Sequence, residues 1–406
     1  MSRIFGVDPL LVGDIDFTIV MIVIVKTIVV FALLLVAVMF YIWFMRKVIA
    51  DMQNRIGPQR AGPFGILQTL ADGIKLFFKE QSEPATADKR VFRLAPYLSI
   101  LPAFLAFSIV PIGGAVSIAG HRTFLQLADP SVGVLFLLAM SGIGLYGVML
   151  AGWSSGSKYP LLGAVRASAQ LLSYEAAMGL AVVAVLIKSG TLSTREIVSG
   201  QSWDGLDSIY NNWYWAGVAI VPFVIFLIAA MAETNHPPFD LVEAEQELVG
   251  GFHTEYTGIR FAIFFLAEFM NLITMCAIAV TLFLGGPAGP DLSGLGVADG
   301  NWLNTWVMPV VWFMVKLLVL LYATVWVRAS LPRLRYDQLM NLGWKLLIEV
   351  GFVWAMMIAV LEVTRDPGDG FWDVAPIALG SLIGAAMILG VLYLCIPNRE
   401  EVEEIR

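Results

Sequence analysis

Residues 18–44 read TIVMIVIVKTIVVFALLLVAVMFYIWF, 27 residues in which Lys26 is the single charge. A bilayer core of ~30 Å is crossed by ~20 mostly apolar helical residues, so this stretch spans with length to spare. It is too long for the apolar part of a secretion signal and no small-residue cleavage site follows, so it reads as structure. The rest of the chain has the same character. Of 406 residues, 58% are apolar and 14% charged, against ~45–50% and ~25% in soluble domains. Mean hydropathy is +0.79. These values exclude a soluble globular enzyme and low-complexity disorder. The expected fold is all-α, a single polytopic membrane helix bundle over residues 1–406.

Nine spans are expected: 18–44, 97–118, 132–153, 166–187, 213–232, 259–284, 305–328, 346–363 and 374–396. Helix stoppers punctuate the connections, among them Gly57-Pro58, Gly62-Pro63, Asp129-Pro130, Pro237-Pro238 and Asp366-Pro367-Gly368. Lysine and arginine set the orientation. With the N-terminus outside, 18 of the 25 basic residues fall on inside segments and five outside, and Lys26 and Lys316 lie within spans. The expected topology is therefore N-terminus out and C-terminus in, and the ninth span with the acidic tail Glu400–Glu404 favours a cell inner (plasma) membrane over that of an organelle.

Net charge is −7, which argues against nucleic-acid partners. Cys276 and Cys395 both lie in apolar runs, and the three histidines (His121, His236, His253) fall in expected loops. Haem and iron–sulfur centres need axial His or Met ligands or several thiolates. No metal or haem is expected on this chain.

Two inside segments are patterned. Segment 45–96 repeats Arg55-Ile-Gly-Pro and Arg60-Ala-Gly-Pro at a spacing of five. Each Gly-Pro turn fixes an arginine at the membrane surface. Then Ile66, Leu67, Leu70, Ile74, Phe77 and Phe78 recur at helical spacing opposite Gln68, Asp72, Lys75 and Lys79. This predicts an amphipathic interfacial helix, read either as an anchor on anionic headgroups or as the floor of a surface site. In the second reading, Arg55 and Arg60 bind a partner or headgroup and Asp72 titrates. Segment 233–258 holds Glu233, Asp240, Glu243, Glu245, Glu247 and Glu255 and no lysine or arginine. Asp240 and Glu243 could form a capping box, with Gly250-Gly251 ending the helix. Glu243 and Glu247 at i and i+4 cost ~0.2–0.5 kcal/mol in repulsion. Either a partner brings positive charge, or the carboxylates share protons, or the loop is simply solvated.

Charges inside spans are functional candidates by default. Glu175 and Glu268 each lie nine residues into their spans, and Lys316 eleven. Arg166, Gln170 and Ser173 share one helix face below Tyr174 and Glu175. A carboxylate paired with Lys316 would be structural. Glu175, Glu268 and the acidic segment together make a row of protonatable sites.

Four stretches resemble a known family: RIGPQRAGPFGILQTLADGIKLFFKE at 55–80, preceded by Arg46-Lys47; AVRASAQLLSYE at 164–175; PPFDLVEAEQELVGGFHTEY at 237–256, continuing to AEF at 267–269; and RYDQLMNLGWK at 335–345. Together they resemble the quinone-site membrane subunit of respiratory NADH:quinone oxidoreductase (complex I), its H-type subunit. The resemblance implies a subunit without its own redox centre in a proton-pumping translocase, with ubiquinone or menaquinone as substrate. NADH, FMN and iron–sulfur clusters are then expected on partner subunits of the peripheral arm, with antiporter-like membrane subunits as further partners. It implies that Arg46, Arg55, Arg60, Asp72, Lys75 and Phe239 line the quinone chamber or dock the arm. It implies a proton relay of Glu175, Glu233, Asp240, Glu243, Glu245, Glu247 and Glu268, supported by Arg166, Tyr174 and Lys316. Met45, Gln59, His236 and Glu349 stand where the family usually carries other residues. Three rival readings remain: a homologous membrane subunit of a hydrogenase or formate-linked complex, a stand-alone proton or ion transporter, and a structural anchor.

Overall fold

In the computed structural model, residues 8–11, 16–201, 206–241, 248–289 and 302–364 are described, with Ile383, Ala386 and Gly390; for Leu11, residues 206–218 and Thr364 the backbone alone is described. The elements in order are α1 (Phe17–Met52), α2 (Gln68–Phe78), α3 (Lys89–Phe107), β1 (Ala115–Ile118), β2 (His121–Phe124), α4 (Gly133–Ser154), α5 (Lys158–Ser189), α6 (Thr194–Ser199), α7 (Leu206–Glu233), α8 (Ile259–Phe283), α9 (Leu303–Ser330) and α10 (Tyr336–Val363). Seven of the described helices are long and apolar enough to cross a membrane: α1, α3, α4, α5, α8, α9 and α10. In α7 the apolar run is Ala219–Glu233. These eight correspond to the first eight expected spans. The ninth, 374–396, lies outside the described residues apart from Ile383, Ala386 and Gly390.

Several boundaries differ from the sequence reading. α1 runs eight residues past 44 to Met52, so Arg46 and Lys47 sit on its last turns rather than in a loop. The expected span 97–118 is helical only to Phe107. Its apolar end, AVSI, is instead a strand paired antiparallel with His121–Phe124. Ala119 and Gly120 both have positive φ, 50° and 82°, as a two-residue type I′ hairpin turn demands. Composition cannot separate an apolar strand from the end of a span. α5 starts at Lys158, eight residues before 166, so Arg166 lies inside the helix. The RYDQLMNLGWK stretch is also helical, forming the first turns of α10 with a wide π-turn at Leu342–Leu347.

α8 is the central helix: 72% of its apolar window is buried, against 17% for α1. One large core surrounds it, drawn from α1, α3, α4, α5, α7, α9 and α10. A smaller cluster lies where α3, α4, α5 and α8 meet, with Phe92, Phe252, Tyr256 and Phe264 over Ala95, Ala151, Ala164 and Ala167. There Phe92 and Tyr256 stack with centroids 4.0 Å apart, and the Tyr256 hydroxyl donates to the Phe92 carbonyl at 3.1 Å. Apolar side chains on α1 such as Phe17, Ile28 and Val36 face outward. In a membrane chain that surface meets lipid or neighbouring subunits.

Small residues allow the closest crossing. A Cβ on Gly147 of α4 would stand 2.2 Å from Ser99 Oγ and 2.8 Å from the Ser99 amide nitrogen in α3. Overpacking of this kind costs ~1–3 kcal/mol. On α5, Gly179 has nothing within 4 Å of such a Cβ. Gly147→Ala is therefore expected to destabilise the detergent-solubilised chain by about 1–3 kcal/mol. Gly179→Ala is expected to be neutral or slightly stabilising. Denaturant midpoints of the two variants check this, and equal midpoints would contradict the close crossing.

Candidate functional site

α7 ends in a Schellman motif. Asn235 adopts φ 51°, the His236 amide donates to the Met231 carbonyl at 3.1 Å, and the Asn235 amide donates to Ala232 at 3.3 Å. This is the left-handed stop that an asparagine tolerates better than most residues. It turns the chain into His236-Pro237-Pro238-Phe239, with a cis peptide between the prolines. Gln170 of α5 clamps this turn. Its Nε2 donates to the Ala232 carbonyl at 2.7 Å and to the Phe239 carbonyl at 3.0 Å. Beside it the buried Phe239 ring lies 5.9 Å from the Tyr174 ring, and the Tyr174 hydroxyl donates to the Leu339 carbonyl of α10 at 2.9 Å. The start of the acidic segment is thus tied to α5 and α10.

Directly above the turn lies a narrow cavity of about 60 Å³. A water needs roughly 10–15 Å³ of such space, so it is sized for several. Glu175, Glu233 and Glu268 all line it, with Ser99, Ser141 and Asn271. These three carboxylates, from α5, α7 and α8, lie up to 93 residues apart in the chain and share one space. No lysine or arginine is among the described lining residues. Glu175 stands 17 residues into α5, about 26 Å along the helix at 1.5 Å per residue. Glu233 is the last residue of α7 rather than part of a loop. Its Oε1 accepts a hydrogen bond from the Ser141 hydroxyl. Its Oε2 is closed off from solvent with no hydrogen-bond partner among the described residues. His236 Nδ1 lies 2.8 Å from the Thr234 carbonyl and 3.6 Å from Glu268 Oε1. A ring nitrogen bonded to a carbonyl carries its proton, so the Nδ1–H is given to the Thr234 carbonyl.

The surface arginines form a second group. α1, the Gly57-Pro58 turn and α2 enclose a cleft of about 470 Å³ lined by Arg46, Arg55, Asp72, Gln68, Ile49 and Ile56. Gly65 makes the turn possible: it has φ 78°, and a Cβ there would sit 2.4 Å from the Pro58 carbonyl oxygen. Arg46 pairs with Asp72 at 2.8 Å, and Gln68 also donates to Asp72 at 3.2 Å. Burial raises the Asp72 carboxyl, but these hydrogen bonds outweigh it and its pKa is lowered. Arg46 and Gln68 thus favour the ionised form of Asp72. Arg60 and Lys75 are exposed and do not line the cleft. The outer face of α2 exposes Leu70, Ile74, Phe77 and Phe78, as an interfacial helix does.

Other assignments also change. Asp240 pairs with Arg333 at 2.9 Å, so the acidic segment is not wholly without counter-cations. The cation comes from the connection before α10, which sequence distance conceals. Glu243, Glu245 and Glu247 lie outside the described residues, and so does most of the expected helix there. Leu248 is its last described helical residue, followed by positive φ at Val249 and Gly251. Lys316 pairs with no carboxylate among the described residues. Its Nζ donates to the carbonyls of Leu284, Gly286 and Ala288 at 2.7, 3.0 and 2.6 Å, closing the far end of α8. Lys26 pairs with Asp8 at 2.9 Å. Arg166 stands 5.6 Å over the Tyr336 ring, a cation–π contact.

Sequence reasoning passed over Ser141, the Gln170 clamp and a knot at Glu83. Glu83 accepts from Arg93 of α3 at 3.1 Å and from Arg260 of α8 at 2.7 Å, while the Ser82 amide donates to Thr257 Oγ1 at 2.8 Å. A lone glutamate twenty-three residues after Arg60 gave no signal.

Fold and site define a polytopic membrane protein whose protonatable groups gather in one internal cavity beneath a patterned surface. A family model described as NADH dehydrogenase matches residues 25–359. The H subunit of the NADH-quinone oxidoreductase of Frankia alni is 51% identical over 391 residues, covering 96% of this chain and 81% of its own. Its counterpart in Frankia casuarinae is 52% identical over 370 residues, covering 91% and 77%. The chain belongs to the NADH dehydrogenase family, as a membrane subunit of the H type. It is a multi-pass protein of the bacterial inner membrane. The hydrogenase or formate-linked alternative is not favoured.

The two arginines hold the Glu83 carboxyl down to about 2, against ~4.3 in an unfolded chain. A lowered pKa contributes stability above the unfolded value and loses it as pH falls toward the folded one. Anchoring of segment 79–93 on α8 is thus expected to be constant from about pH 8 to 5 and to weaken between about 4 and 2. Amide exchange of residues 79–86 measures it. Glu83→Gln should show the loosened state at every pH, and matching exchange in the two proteins would contradict the knot.

Proposed function

We propose that this chain forms the membrane part of the quinone chamber in a proton-pumping NADH:quinone oxidoreductase and passes the event of quinone reduction to a carboxylate relay. The end carrying Arg46, Arg55, Glu83, Asp240 and Arg333 faces the cytoplasm, in accord with the 18-to-five bias of basic residues read from the sequence. The peripheral arm, with NADH, FMN and iron–sulfur clusters, docks there, and antiporter-like subunits lie laterally in the membrane. The cleft between α1 and α2 offers a mixed polar and apolar path of the size small-molecule sites have. The observation that carries the reading is the shared cavity of Glu175, Glu233 and Glu268.

The chemistry follows from charge. Reducing a quinone to a quinol takes up two protons. Carboxylates in one cavity with no lysine or arginine on its described wall cannot all be ionised cheaply, so a proton drawn from one redistributes among the rest. The turn 236–241 connects this cavity to the acidic segment, where Glu243, Glu245 and Glu247 are the inner members of the relay. Asp240, held by Arg333, is its fixed end. Gln170, Tyr174 and Phe239 keep the turn against α5 and α10, so displacement of the segment is felt at Glu233. A stand-alone transporter would act from this one chain in liposomes, and an anchor would tolerate loss of the carboxylates.

Glu233→Gln and Glu175→Gln in the intact complex test the reading in inverted membrane vesicles. NADH:quinone turnover and proton uptake are both expected to fall at least about tenfold, the scale of a lost proton-transfer group. Unchanged proton uptake in both variants would remove the relay. A Glu243→Gln/Glu247→Gln variant with unchanged coupling would remove the acidic segment from it.

A further inference from the structure

Helix α4 contributes no charged residue to the cavity, yet it touches two of the carboxylates there. Ser141 donates its hydroxyl hydrogen bond to Glu233 Oε1. The next residue is Gly142, where a Cβ would stand 3.3 Å from Glu175 Oε1. Gly144, Leu145 and Val148 continue the same wall. The Ser-Gly step of α4 is thus wedged between a carboxylate of α5 and one of α7. Glu233 Oε2 and Ser99 Oγ are both closed off from solvent and without a hydrogen-bond partner among the described residues, and both residues line this cavity. Two buried polar atoms, one on α3 and one on α7, therefore remain to be satisfied in the space that Ser141 and Gly142 border.

The geometry assigns Ser141 the role of a positioning residue that makes Glu233 Oε2 the proton-exchanging oxygen, with Gly142 leaving room for Glu175 beside it. This rests on the relay reading above and deepens it. The chemistry is asymmetric. A carboxyl group whose Oε1 is engaged by a hydroxyl donor keeps that oxygen as an acceptor in both protonation states, since a serine O–H serves carboxylate and carboxylic acid alike. The proton then resides on Oε2, which has no other partner in the described structure. The facing titratable groups are Glu175 from α5 and Glu268 from α8, with His236 Nδ1 beyond at 3.6 Å from Glu268. Without the hydroxyl, either oxygen of Glu233 could take the proton and the side chain could leave the rotamer that presents Oε2. A serine and a glycine on a helix with no charge give no motif, so their role appears only when three helices meet.

The test uses the assembled complex in proteoliposomes. In Ser141→Ala, proton uptake at saturating quinone is expected to fall about tenfold, the scale of one hydrogen bond to a charged group, with the KM for quinone unchanged. Ser141→Thr keeps the hydroxyl and should recover most of the rate. Gly142→Ala, which crowds Glu175, should lower it as well. The decisive readout is the carboxyl C=O stretch of Glu233 in redox-difference infrared spectra, identified as the band missing in Glu233→Gln. It should shift in Ser141→Ala and return in Ser141→Thr. Should Ser141→Ala not assemble, Ser141→Cys keeps the volume with a weaker donor and is expected to move the band the same way. A band that stays put, or wild-type uptake in Ser141→Ala while Glu233→Gln is defective, overturns the assignment and leaves the relay standing. Wild-type uptake in Glu233→Gln alone overturns this assignment, and wild-type uptake in both Glu233→Gln and Glu175→Gln overturns the relay as well.

Discussion

Hydrocarbon offers no hydrogen bonds, so every polar group in a membrane-spanning bundle must find its partner within the protein. That constraint sorts the charges of this chain. Lys316 is engaged by three backbone carbonyls beyond α8. Lys26 is matched by Asp8, and Lys188 at the end of α5 by Glu362 at the end of α10, 3.1 Å away. Each of these closes an element or joins two. Glu175, Glu233 and Glu268 answer to a different logic, because their shared wall carries no lysine or arginine among the described residues. The apolar surroundings that make an isolated carboxylate costly are what make a group of them responsive to one added or removed proton.

The cavity is coupled to the surface by packing and hydrogen bonds. Gln170 fastens both sides of the α7 turn, Tyr174 reaches across to α10, and Leu334 donates its amide to the Pro238 carbonyl at 3.0 Å. Asp240 is held through Arg333 from the same connection. The prolines of 237–238 lack amide donors, so side chains and neighbouring segments supply the anchoring. On the other side, the Glu83 knot and the Phe92–Tyr256 stack hold the connection between α2 and α3 against the start of α8. Two segments distant in sequence, the turn at His236 and the connection at Glu83, therefore both rest on α8, the helix that carries Glu268.

Much of this was legible in the sequence, for reasons that differ by residue. Long apolar runs fix membrane helices because a bilayer sets their length, and eight of the nine expected spans have helical counterparts. The hairpin 115–124 was misread because AVSI is as apolar as a helix end and only the positive φ at Ala119 and Gly120 marks its turn. The surface helix at 68–78 was legible through its 3.6-residue period. Glu175, Glu268 and the acidic segment were legible as charges out of place. The carbonyls that Lys316 meets leave no trace in a sequence, and the Asp240–Arg333 pair was not legible because its partners are 93 residues apart. Ser141, Gly142 and Gln170 were not singled out as site residues: a serine, a glycine and a glutamine in membrane helices are commonplace until their neighbours are known.

The π-turn at Leu342–Leu347 has a further implication for the length of α10. An α-helix advances about 100° per residue, and a π-turn absorbs one extra residue without breaking the rod. Removing a single residue between 342 and 347 would restore uninterrupted α geometry and leave the helix beyond facing as it does now, because the π-turn already cancels the rotation of its extra residue. Glu362 would still meet Lys188, and Trp354 and Ile358 would stay in the core. The same deletion in the continuous α part of α10, between 348 and 353, would instead turn those three residues by about 100°: one codon can be lost within the π-turn but not beyond it.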